Sequence, residues 1–144
     1  MSQNSWIKVL EANHLLRSPD EIAAFEQALA ELAQNPNPDD LPELHLILDD
    51  ACQQPEVMFS LVHFLESFDL QVQLPAFLQA LPDLVKRAAE WTTILHSRMM
   101  NDAIAKAAFE EWVRSLDVPE QEQMRQLLSS ASAKMSRSQV TRVA

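Results

Sequence analysis

Ser18-Pro19-Asp20-Glu21-Ile22-Ala23-Ala24-Phe25-Glu26-Gln27-Ala28-Leu29-Ala30-Glu31-Leu32 states both how this chain starts a helix and what the helix buries. Ser18 followed three residues later by Glu21 is a capping box, and Pro19 stands at the first helical position, where its missing N–H is not needed. Ile22, Phe25, Leu29 and Leu32 then recur at helical spacing. This pattern predicts a helix over about 18–34, and it repeats down the chain. Asn35-Pro36-Asn37-Pro38 is a turn, after which Asp39 or Asp40 caps a helix through Leu44, Ile47, Leu48 and Ala51. Pro55 opens the next, roughly 55–68, whose Val57, Met58, Leu61, Val62, Phe64, Leu65 and Phe68 occupy more than one face and mark it as central. Further helices are expected from Leu70 or Pro75 to about Leu81, from Pro82 through Met100 with a break near Ala88, from Asp102 to Leu116, and from Pro119 to about Lys134.

The chain contains no glycine, where average usage of about 7% would give roughly ten. Phosphate-cradling loops, dinucleotide fingerprints and nucleophile elbows need glycine's backbone freedom, so those chemistries are excluded. Tight hairpins are disfavoured for the same reason. The expectation is an all-α fold, a single domain of about seven short helices over residues 1–135, with 136–144 frayed or extended. A chain of 144 residues, 47% of them apolar, suffices for one core. Cys52 is the only cysteine, so neither an intrachain disulfide nor a cysteine-based zinc cluster can form. The N-terminal stretch Met1 to Leu16 lacks the pattern of a secretion signal, and no apolar run reaches membrane-spanning length. A cytoplasmic protein with no membrane partner is expected.

Sliding the chain on itself by 33 positions matches Leu41, Pro42, Leu48, Asp50, His63 and Asp69 with Leu74, Pro75, Leu81, Asp83, His96 and Asp102. Leu44, Leu61 and Val62 fall on Phe77, Ile94 and Leu95. This suggests stacked antiparallel helix pairs of the HEAT or tetratricopeptide kind.

Charge is distributed unevenly. No lysine or arginine stands between Arg17 and Lys86, while thirteen carboxylates do; after Glu122 the pattern reverses to Arg125, Lys134, Arg137 and Arg142 with no acidic side chain. With a net charge of −10, nucleic acid is a poor partner and a cationic protein a good one. Asp20, Glu21, Asp39, Asp40 and Glu43 fall in first turns, where the macrodipole favours an acid by about 0.3–1 kcal/mol. Asp49, Asp50 and Glu66 fall instead near expected C-termini, where a carboxylate faces negative charge and no base lies nearby in sequence. Asp49, Asp50, Glu56, Glu66, Asp69 and Asp83 are therefore the candidate binding residues. If the repeat is real, Asp49, Asp50, Glu56 and Asp83 share one rim, and Glu66 and Asp69 lie at the other.

A metal site is not indicated. The di-iron bundle pattern needs Glu-x-x-His twice, whereas His63-x-x-Glu66 runs the other way and has no second copy, since Met99 follows His96 at that spacing. His63 and His96 read as partly buried, hydrogen-bonded residues, and Trp6, Trp91 and Trp112 as core. The adjacent pairs Asp39-Asp40 and Asp49-Asp50 cannot face one another on a helix, and no nucleophile accompanies them. No cofactor and no enzymatic activity are expected.

Two blocks, Pro55-Glu56-Val57-Met58-Phe59-Ser60-Leu61-Val62-His63-Phe64-Leu65-Glu66-Ser67-Phe68-Asp69 and Glu90-Trp91-Thr92-Thr93-Ile94-Leu95-His96-Ser97-Arg98-Met99-Met100-Asn101-Asp102, resemble the most recognisable parts of the immunity protein 30 family. Leu16 to Glu26 resembles its opening helix, so the likeness covers about residues 15–115. The resemblance implies a small, helical, cytoplasmic antidote encoded beside a toxin of a bacterial polymorphic or contact-dependent inhibition system. Such proteins protect by binding their cognate toxin, here one expected to present a basic surface. The resemblance emphasises His63, Glu66, Asp69, His96, Arg98 and Asp102. The alternatives are a helical-repeat adaptor for a basic protein or peptide, and a metal-dependent helical enzyme.

Overall fold

A computed structural model of the protein describes residues 3–143, and the side chains of residues 5–134. Among the described residues the elements are α1 (Gln3–Asn13), α2 (Pro19–Gln34), a 3-10 turn (Pro38–Asp40), α3 (Leu41–His45), α4 (Pro55–Glu66), α5 (Leu70–Arg87), α6 (Ala89–Met100), α7 (Ala103–Ser115) and α8 (Val118–Val143), with no strand. The fold is all-α, a single domain.

α2 begins as its sequence dictates. Ser18 Oγ accepts a hydrogen bond from the Glu21 amide at 3.2 Å. The Glu21 carboxylate closes the box one residue early, on the Arg17 amide at 2.8 Å, and also holds the Arg17 guanidinium. Those bonds from the Arg17 side chain and amide bring the Glu21 carboxyl down to about 2. Phe25, Ala28, Leu29 and Leu32 form the buried stripe.

α1 had no counterpart in the expected helices. Its Ile7 and Leu10 are buried, and it packs along α2. The turn after it places Leu16 at φ 52°, in the left-handed region. In a chain without glycine, leucine takes a conformation that costs it about 1–2 kcal/mol, offset by full burial of its side chain.

Four expectations are corrected. The helix foreseen from Asp39 through Ala51 stops at His45; Leu46, Ile47 and Leu48 continue in tighter i→i−3 turns, with Ile47 and Leu48 still buried. Of the starts expected at Leu70 or Pro75, Leu70 is the one realised, and the end near Leu81 and the new start at Pro82 are absent, because α5 runs through both prolines. Leu74, Phe77, Leu81, Leu84 and Val85 keep one buried stripe unbroken across them, and the prolines, seven residues apart, lie on the opposite, more exposed face. This makes α5 the central helix in place of α4, in contact with α3, α4, α6, α7 and α8. The chain does break at Ala88, and α8 continues to Val143 where a frayed or extended end was expected from 136; Ala144 lies outside the described residues.

The offset of 33 is realised in part. α4 and α6 occupy matching positions, and Asp69 and Asp102 both precede the next helix. The preceding elements differ, five residues of α3 against eighteen of α5, so the helix pairs are not equivalent repeats. Asp50 is in a turn, whereas Asp83 is within a helix.

His45 is buried at 3% exposure against Phe77, and its Nδ1–H donates to the Leu41 carbonyl at 2.8 Å. Burial holds its pKa below the ordinary histidine value, against the smaller opposing effect of that hydrogen bond. The folded state thus resists a proton that the unfolded chain accepts near pH ~6.5. Stability from this group is complete above that pH and lost as the pH falls below it. The urea midpoint should therefore drop between about pH 7 and about pH 5 more steeply for the native sequence than for His45→Gln, whatever their offset at neutral pH.

Candidate functional site

Because α4, α5 and α6 run back and forth, the candidate carboxylates divide between two ends of the molecule. The first end holds the start of α4, the end of α5 and the start of α6. There Asp50 accepts hydrogen bonds from the amides of Glu90 and Trp91 at 3.0 and 3.2 Å. Its own amide donates to the Arg87 carbonyl at 3.3 Å. α6 lacks a capping side chain of its own, since Ala88 stands at its N-cap, and Asp50 supplies one from forty residues away. Burial raises the Asp50 pKa, while the two amides pull it the other way.

Asp49 is also engaged. Its carboxylate contacts His14 Nε2 at 3.0 Å and accepts from the Ala51 amide at 2.8 Å, while Trp91 Nε1–H donates to its carbonyl at 3.2 Å. The premise that Asp49 and Asp50 oppose a helix C-terminus is thereby corrected: both lie in a turn, and Asp50 complements a helix N-terminus. Asp83, one turn before Arg87, and Glu56, in the first turn of α4, are exposed at this same end. The Phe59–Trp91 ring contact at 4.9 Å joins the starts of α4 and α6.

At the second end, the α4–α5 and α6–α7 turns enclose an open groove of about 720 Å³ lined by residues including Glu66, Asp69, Arg98 and Asp102. Glu66 closes α4, an unfavourable place for an acid. Arg98, in the last turn of α6, corrects this across space with two hydrogen bonds to the Glu66 carboxylate, each 2.8 Å. That pairing raises the Arg98 pKa. Gln73 is buried and donates to the carbonyls of Glu66, at 3.2 Å, and Phe68, fixing the α4–α5 turn. Asp69 occupies the N-cap of α5 but makes no capping side-chain bond. Asp102 caps α7 through the amides of Ile104 and Ala105 at 3.0 and 3.2 Å.

The structure thus joins Glu66 and Asp69 with Arg98 and Asp102, and separates them from Asp49, Asp50, Glu56 and Asp83. His63 is exposed, not partly buried, and lies in a different depression, between α2 and α4. His96 is half-buried against Phe109, and burial lowers its pKa. Trp91 is core, and Trp6 and Trp112 pack half-buried against it. Among the described residues no three His, Cys, Asp or Glu side chains are grouped to hold a metal, and no helix is long and apolar enough to cross a membrane. His14, Gln73 and Ile104 escaped sequence reading. His14 and Gln73 meet partners in another segment or across a turn, so no local spacing reports them; Ile104 is marked by its exposure in the folded chain.

A family model described as Immunity protein 30 matches residues 12–109. The chain belongs to the immunity protein 30 family. The match spans α2 through the first half of α7 and so includes every residue of the groove, whereas α8 lies beyond it. No significant match is found among curated proteins or solved structures.

The two ends of this immunity protein 30 chain should respond differently to mutation. Asp50→Ala leaves two α6 amides without their acceptor and should cost about 1–2 kcal/mol, read as a lower denaturant midpoint. Arg98→Ala removes a pair whose side chains are 40% and 34% exposed, and should cost no more than about 1 kcal/mol.

Proposed function

We propose that the protein neutralises a cognate bacterial toxin by binding it, with the groove between the α4–α5 and α6–α7 turns as the central contact. The family places the chain among immunity proteins, and the observation that carries the reading is the gathering of Glu66, Asp69 and Asp102 around one open groove with Arg98. Its carboxylates suit lysine or arginine side chains on the basic surface of a toxin. Glu66 can exchange Arg98 for an incoming guanidinium without net loss of charge pairing. Asp69, exposed and uncommitted to its helix cap, adds a second acceptor.

The remaining candidates take graded roles in this proposal. Glu56 and Asp83 are exposed at the far end and contribute the long-range negative field that speeds encounter. Asp49 and Asp50 add to that field while their short-range bonds stay within the protein. Nucleic acid is repelled by the same field. The activity is occlusion of the toxin in the cytoplasm of the cell that carries the antidote, in polymorphic or contact-dependent inhibition systems, without catalysis by the immunity protein.

Co-expression with the toxin encoded beside the gene tests this through growth rescue and co-purification. Rescue by the native sequence, and a fall of about tenfold or more in association rate for Glu66→Lys with Asp69→Lys, are expected. The double variant should also show a weaker salt dependence of association. Its folding stability should remain within about 1 kcal/mol, because both positions are exposed. Unchanged affinity and salt dependence in the double variant would remove the groove from the interface.

A further inference from the structure

Two large apolar side chains stand in solvent, Ile104 at 77% exposure and Val118 at 76%, and both belong to the stretch formed by α7 and the start of α8. Along α7, Ile104, Ala105, Ala108, Phe109, Trp112 and Val113 recur at spacings of three and four, the pattern of a helix that lays one stripe on a core. Only Phe109 of these is buried. Ala108, Trp112 and Val113 are half-covered, and Ile104 is open. Ala108, Trp112 and Val113 pack on the core with part of their apolar area still in solvent, and together with Ile104 and Val118 they leave a strip that a partner can cover.

α7 rests on α5 and α6 as a ridge with a cavity on each side. Toward α5 is the acidic groove, with Ile104 and Ala105 in its wall. Toward α8 is a cleft of about 470 Å³ whose wall includes Phe109, Val113, Val118, Met124 and Leu128. We propose that the α7 ridge, from Ile104 to Val118, is the apolar half of the toxin interface, seating an apolar side chain of the toxin in the α7–α8 cleft while basic side chains enter the groove. This rests on the toxin-binding reading and extends its contact from charge to burial.

Charge selects the occupant. The ridge carries exposed Glu110, Glu111 and Asp117 against Lys106 and Arg114; the cleft wall adds the paired Glu122 and Arg125, and the groove adds Glu66, Asp69 and Asp102 against Arg98, so the surroundings of the ridge are net acidic. An apolar strip with a net acidic rim fits a partner strip whose rim is net basic. A second copy of this chain would bring one net acidic rim against another and is disfavoured.

The test measures binding of the inactivated toxin domain encoded beside the gene to the full-length protein, at low and high salt. Ile104→Asp and Val118→Asp should each weaken binding about tenfold or more, through faster dissociation that persists at high salt. Ile104→Ala should act in the same direction without adding charge, and Gln27→Asp, at an exposed position on α2, should leave binding unchanged. Binding by the native protein with unaltered affinity in both Asp variants overturns the ridge alone. So does equal weakening by Gln27→Asp. Absence of binding by the native protein overturns the toxin-binding reading and the ridge together.

Discussion

The N-terminus of α6 has no cap of its own, and the arrangement of the molecule depends on Asp50 providing it. That single carboxylate fixes three things. It satisfies two amides that would otherwise be stranded at the break after Ala88, and, with the Asp50 amide donating to the Arg87 carbonyl, it holds the segment 46–54 against the end of α5. It also places Asp49 where His14 and Trp91 reach it. Gln53, four residues on from Asp49, donates to the Leu15 carbonyl at 2.9 Å and ties in the α1–α2 turn. A junction between distant parts of the chain is thus built from one acid-rich turn.

That junction changes the meaning of the acidic field. Spread over positions 18–85, the carboxylates look alike in sequence, and all carry the cost of mutual repulsion. In three dimensions they separate by what they are bonded to. Glu21 closes the α2 cap, Asp50 caps α6, and Asp49 is bonded to His14 and the Ala51 amide. Glu66, paired with Arg98, and Asp69 retain acceptor capacity beside the groove, and exposed Glu26 does so beside the α2–α4 depression. Electrostatic roles at long range can be shared by the whole set, but short-range recognition can use only the second kind.

How much was legible in sequence follows the range of the interactions. Caps and stripes act within a few residues, so α2, α4, α7 and the Ala88 break could be read directly from Ser18, Pro55, Asp102 and the apolar spacing. α5 was misread because proline's local penalty is visible at Pro75 and Pro82 while the continuous burial that outweighs it is tertiary. The early end of α3 has the same origin. At the candidate site, Glu66 and Asp69 were singled out for breaking local charge rules or leaving a helix pair at the far rim. Arg98, 32 residues from Glu66, entered only through family resemblance, since helix-end chemistry cannot name a partner on another hairpin. His14 reaches Asp49 through a tertiary contact and Gln73 reaches back across its own turn, and neither left a signal.

The groove also differs from a loop-built surface in how it is held. Its walls are two helix–helix turns, each with its backbone fixed from within: Gln73 holds the α4–α5 turn by two carbonyls, and Asp102 holds the start of α7 by two amides. The Glu66–Arg98 pair then spans the two turns. A surface fixed this way presents its carboxylates with little further ordering on association, which lowers the entropic cost of binding. Because Gln73 and Asp102 satisfy the backbone groups of these turns and Arg98 offsets the charge of Glu66 at the end of α4, Glu66 and Asp69 keep acceptor capacity for a partner.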